Sequence, residues 1–155
     1  MPLDVQGYNA DPLLVKCGRP VDLGRNKDGT MRRIWVRPFG HAYDARLSAL
    51  RKNAGERACQ KDPELDRECQ IVTMAELILC RRDPQGADMD AWENFKGADG
   101  TTYPPTLEHK KDMLRGGLQG EDPNSYTRQF FLDVATVAGE QATFVAEEKE
   151  AAAKN

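Results

Sequence analysis

The sequence has no apolar run near the ~20 residues that a helix needs to cross a bilayer, so no membrane-spanning helix is expected. No charged segment leads into a long apolar stretch, and Asp4 stands in the lead, so no secretory signal is expected either. Basic residues form no stripe with interleaved aromatics. Lys, Arg, Asp and Glu are mixed along the chain and leave a net charge of -3, which argues against a nucleic-acid partner. Histidine is scarce: only His41 and His109 occur, far apart in the chain. The four cysteines, at 17, 59, 69 and 80, form no C-x-x-C pair, so zinc spacing is absent. They read as reduced thiols that fill small apolar gaps in a cytosolic protein. A nucleophile elbow, a P-loop, a dinucleotide fingerprint and a metalloprotease helix are all missing.

Two weaker chemical patterns fail on inspection. Asp83, Asp88 and Asp90 suggest a calcium loop, but counting from Asp88 the sixth residue is Glu93, where an EF-hand needs glycine. The segment reads as a solvated acidic loop. His41 beside Tyr43 and Asp44 reads as a cap or surface residue near a helix start. The expectation is a protein that is not an enzyme and that uses no cofactor and no metal.

What is present is a chain of 155 residues with 39% hydrophobic and 30% charged residues, enough for one modest core under a charged surface. A mean hydropathy of -0.69 is polar even for such a domain and implies tails. The expected organisation is a loose arm over 1–12, a single helical domain with an N-terminal β-hairpin over 13–145, and a charged helical tail over 146–155. The fold class is α+β, mainly α, with the hairpin followed by about four helices and a small turn around Asp99-Gly100.

The apolar stretch from Leu13 to Leu23 and the alternating run Met31–Phe39 predict the hairpin, with a polar tip at Lys27-Asp28-Gly29. Ile34 and Val36 share one face; Arg33, Trp35 and Arg37 share the other. A two-stranded hairpin is marginal alone, so it must lie on helices or pair with another strand, from this chain or a second copy. Ala42–Arg51 predicts a helix broken by Gly55. Asp62-Pro63-Glu64 opens the strongest helix, read through to Arg81 and Arg82, which suit its C-terminal end. Thr106–Arg115 is a short helix ended by Gly116-Gly117. Asp122-Pro123 opens the last helix, which carries Tyr126, Phe130, Val134, Val137 and Ala138 at three- and four-residue spacing.

The stretch Trp92–Leu114 organises these pieces. Trp92 and Phe95 precede an Asp99-Gly100 turn, and Tyr103 follows it. Pro104-Pro105 forces an extended approach to Thr106, which can cap the next helix. Together with Ile34-Trp35-Val36-Arg37-Pro38-Phe39 and a last helix that tails into Glu-Lys-Ala repeats ending Lys154-Asn155, this outline resembles a group of small proteins of long-tailed bacteriophages, the tail assembly chaperones. The likeness spans roughly residues 31–155.

The resemblance implies a non-catalytic role: binding the long helical tape measure protein before tube subunits close around it. Such a rod exposes apolar surface that would self-associate, and small partners could cover it by helix-in-groove contacts. It implies protein partners (the tape measure protein, the tail tube protein or neighbouring virion subunits), a possible homo-oligomer, and a place in the host bacterial cytoplasm. The alternative is a structural virion protein, a head–tail joining or minor tail component. Trp92, Phe95, Tyr103, Phe130 and Phe131 are the candidate partner-binding residues. Aromatics dominate cores as well as interfaces, so at most two or three of the five are expected to be exposed.

Overall fold

A computed structural model describes residues 12–118, 120 and 128–154, with side chains over 15–118, at 120 and over 129–142. The expected arm lies almost wholly outside these residues. So do the Asp122-Pro123 helix start and Tyr126, and the side chains of the charged tail.

The hairpin forms as its turn chemistry requires. Strand β1 (Arg19–Arg25) runs antiparallel to β2 (Met31–Val36), with Val21 opposite Ile34. At the tip, Gly29 takes a φ of 88° and the Asp28 carboxylate accepts from the Thr30 backbone N–H at 2.9 Å. The apolar stretch does not start the strand, as the sequence suggested. Pro12–Cys17 is a short helix, α1, and Gly18 at φ 98° turns the chain into β1. Proline at the first helical position and a left-handed glycine just past the end are the usual helix punctuation.

The third strand comes from the chain itself. In β5 (Trp92–Glu93), Trp92 lies opposite Ile34 and Glu93 opposite Arg33, giving a sheet in the order β1–β2–β5. Ile34 and Val36 enter the core from one face. Trp35, on the other face, is buried too, because the Arg81 guanidinium stacks on its ring at 3.8 Å.

Helix α2 (His41–Ala54) ends at Gly55, a short α3 (Glu56–Lys61) follows, and α4 (Pro63–Leu77) starts on the Asp62 carboxylate, which accepts from the Glu64 N–H at 3.0 Å. Helix α4 is shorter than its sequence predicts. Its C-terminus is captured by the sheet: Cys80 N–H donates to Trp35 O at 3.2 Å, and Arg37 N–H donates to Ile78 O at 2.8 Å. Residues 78–80 are thereby drawn off the helix. Arg81 and Arg82 are not a helix end but strand β3 (Arg81–Arg82), paired with β4 (Asp88–Met89). The acidic loop between them is a hairpin turn, in which Asp83 Oδ1 accepts from the N–H groups of Gln85 and Ala87, both at 2.9 Å.

The connector turns at Gly97–Gly100, where Gly97 N–H reaches Thr101 O at 2.8 Å and Gly100 has φ 83°. Helix α5 (Leu107–Arg115) is capped as expected, the Thr106 hydroxyl accepting from His109 N–H at 3.1 Å, and ends at a left-handed Gly116. Helix α6 (Arg128–Lys154) completes the fold: six helices and two small antiparallel sheets among the described residues. The main core joins β2, α4, β5, α5 and α6; a smaller cluster of Leu47, Cys59 and Cys69 lies among α2, α3 and α4.

Candidate interaction surfaces

The connector aromatics are core, not anchors. Strand β5 pairs against β2, and this turns Trp92 inward, where it is 2% exposed. Its indole N–H donates to Tyr103 O at 2.8 Å, so the polar end is satisfied as well. Phe95 is fully buried, tilted against Trp92 at 5.1 Å and edge-on to Phe130 at 6.3 Å. Phe131 is buried under the Arg67 guanidinium, 4.2 Å from the ring centre. Four of the five candidates, Trp92, Phe95, Phe130 and Phe131, are thus removed from any external surface. The physical reason is that large rings gain most where neighbouring elements close over them. Tyr103 is half-buried, edge-on to His109 at 5.4 Å.

A pair of asparagines locks the connector to the hairpin, and nothing in the sequence reading singled them out. Buried Asn26 donates from Nδ2 to Asn94 O at 2.6 Å, and Asn94 Nδ2 donates to Met31 O at 2.8 Å. Asn94 holds a left-handed φ of 65°, which asparagine tolerates better than most residues. Lys96 pairs with Asp28 across the same joint. That contact is the main reason the Asp28 carboxyl sits far below the usual range.

Among the described residues, the large apolar side chains that do face outward are Met89, Leu107 and Leu132, at 43%, 44% and 52% exposure. Met89 and Leu107 flank one groove of about 460 Å³ between the β3–β4 hairpin and α5, with Pro105, Asp90 and Lys110 also lining it. Burial pushes the Lys110 ammonium below the usual lysine range, while Cys80, Asp88 and Asp90 oppose that shift. The sequence hid both apolar residues. Met89 stands alone between two aspartates in a stretch without period. Leu107 is seven residues before Leu114, on the stripe that reads as core-facing, but it lies at the helix's first position, where it is only partly covered.

A second, larger groove of about 870 Å³ runs along α2, α3 and α4. Its wall is the Arg51–Asp66 pair, bonded twice at 2.7 and 3.0 Å. The Arg51 guanidinium holds the Asp66 carboxyl below its ordinary value, and Gln70 adds a third hydrogen bond. Burial first, and then contact with Cys59, pushes the Cys69 thiol up; both thiols are free.

The two histidines occupy different elements. His41 is exposed at the start of α2, while the ring Nδ1 of His109 lies 2.7 Å from Pro104 O. Among the described residues no group of three or more His, Cys, Asp or Glu is placed to hold a metal ion. No helix among them is long and apolar enough to cross a membrane. No protein-family model, no curated protein and no solved structure matches this chain.

Proposed function

We propose that this protein works by reversible binding to other polypeptides rather than by catalysis, as a tail assembly chaperone that covers the tape measure protein until tube subunits displace it. The observation that carries the reading is the outward pair Met89 and Leu107, set on either side of one groove with charged residues at its rim. Exposed apolar side chains that share a groove favour a protein contact over isolated surface hydrophobes. The small size of the patch suits a contact that must later be released. In sequence, the stretch Ile34–Phe39, the Trp92–Tyr103 connector and the short helix ending at Leu114 carry the resemblance on which the chaperone assignment rests.

The partners proposed are the tape measure protein and the tail tube protein, in the host cytoplasm. A pull-down from infected cells should recover tape measure peptides. Recovery of capsid or connector subunits without them would refute the assignment. Mass spectrometry of purified particles separates this role from that of a permanent virion subunit. A chaperone should be absent or present in traces; a structural subunit should be stoichiometric.

A further inference from the structure

We infer that Cys59 and Cys69 form a dithiol that an uncharged peroxide oxidises: Cys59 reacts first, from the groove along α2, α3 and α4, and Cys69 then joins it in a disulfide that ties α3 to α4. The inference stands apart from the proposed binding role and holds whatever the partner is.

The fold makes the pair. Cys59 lies on α3 and Cys69 on α4, and the two thiols meet in the small cluster beside Leu47. Both are free. The elbow between the helices is tied at both ends. Asp62 N–H donates to Ala58 O at 2.9 Å, and the Asp62 carboxylate accepts from Glu64 N–H at 3.0 Å. The Arg51–Asp66 pair holds α2 to α4 at 2.7 Å. Two thiols in contact on elements fixed in this way meet the main geometric demand of a disulfide, which is closeness without backbone rearrangement. The other two cysteines stand outside the cluster. Cys17 ends α1, and the backbone of Cys80 bonds to β2.

The groove sets the order of events and the oxidant. Cys59 is part of the groove wall, and Cys69 is not. Burial pushes the Cys69 thiol up, which makes it the poorer first nucleophile. The wall carries three carboxylates, of Asp44, Glu56 and Asp66, against one cation, Arg51, which already bonds Asp66 twice. That field repels an anionic oxidant such as glutathione disulfide and leaves a neutral peroxide unopposed. In the first step the Cys59 sulfur attacks one peroxide oxygen. The O–O bond breaks, a sulfenic acid forms, and the second oxygen leaves as water with the thiol proton. In the second step the Cys69 sulfur attacks the Cys59 sulfur. The S–S bond forms, the S–O bond breaks, and the hydroxyl leaves as water with the Cys69 proton. Two electrons pass from the sulfurs to the peroxide, which ends as two waters.

Hydrogen peroxide added to the full, folded chain tests this. Remaining thiols are alkylated and the digest is mapped by mass spectrometry. The first disulfide should join Cys59 to Cys69, and dithiothreitol should reverse it. It should form at least about tenfold faster with peroxide than with glutathione disulfide at equal concentration. In Cys69→Ala, a dimedone-reactive sulfenic acid should collect on Cys59. In Cys59→Ala, Cys69 should stay reduced. The map of the unmodified chain decides the matter even if a variant folds poorly. Absence of the disulfide overturns the inference, and so does a first disulfide through Cys17 or Cys80. Glutathione disulfide reacting as fast as peroxide overturns the choice of oxidant. An equal rate in urea overturns the role of the fold, because residues so near in sequence would then be joining unaided.

Discussion

At the scale of single residues, the most exacting position is Asn94. It combines a left-handed backbone with a side-chain bond to Met31 O, and its own carbonyl receives Asn26. Asn94→Gly keeps the backbone at ease and loses one hydrogen bond, about 1 kcal/mol. Asn94→Ala loses the same bond and adds left-handed strain of about 1–2 kcal/mol. Urea denaturation should therefore rank wild type above Gly and Gly above Ala. A ranking with Ala above Gly would show that the backbone relaxes away from this conformation. Gly18 is stricter still. A Cβ there would stand 2.7 Å from the Cys80 carbonyl, which is backbone and cannot swing aside. Phe95, fully buried between Trp92 and Phe130, should lose about 3–5 kcal/mol on truncation to alanine. Leu107→Glu, by contrast, should stay within about 0.5 kcal/mol of wild type. That contrast is the thermal-melt signature of a core aromatic against a surface apolar residue.

At the scale of elements, the ion pairs tie helices to one another. Arg51 on α2 holds Asp66 on α4, and Arg115 on α5 holds Glu68 on α4. Both carboxyls are lowered, each chiefly by its arginine's hydrogen bond. A lowered folded pKa means stability that is fully present above the unfolded values, about 3.9 for Asp and 4.3 for Glu, and lost as pH falls through the folded ones. Urea midpoints should therefore drop as pH falls below about 5, and Arg51→Met should make that drop shallower. An unchanged acid slope in the variant would mean that the pair is too well solvated to matter. The cap of α5 gives a simpler test. Thr106→Ala should cost about 1 kcal/mol through the lost bond from His109 N–H.

At the scale of the whole molecule, the apolar residues fall into two clusters of unequal size. The larger spans the sheet, α4, α5 and α6; the smaller consists of Leu47, Cys59 and Cys69, with Tyr43, Leu50 and Leu65 around it. Regions with few buried apolar contacts open first. Backbone amides of α2 and α3 should therefore exchange with solvent faster than those of β2 and of α4 from Ile71 to Met74. Uniform protection across all of them, measured by hydrogen exchange, would show one cooperative unit instead. The groove that Met89 and Leu107 line lies beside the larger cluster, on the short β3–β4 hairpin and the first turn of α5.

Local chemistry alone determined the hairpin tip, the Asp62 and Thr106 caps, the glycine stops and the turn at Gly100, because each is settled by hydrogen bonds and backbone torsions within a few residues. The same local signals extended α4 through Arg82, since helix propensity has no knowledge of a strand waiting alongside. Tertiary structure decided that point when the C-terminal end of β2, beyond its pairing with β5, took up the backbone of Ile78–Cys80. It also decided which aromatics are interior. Trp92, Phe95, Phe130 and Phe131 carry the same surface chemistry whether they face a core or a partner. Only the pairing of β5 with β2 and the packing of α6 against the core removed all four from solvent, while Met89, Leu107 and Leu132 face outward among the described residues.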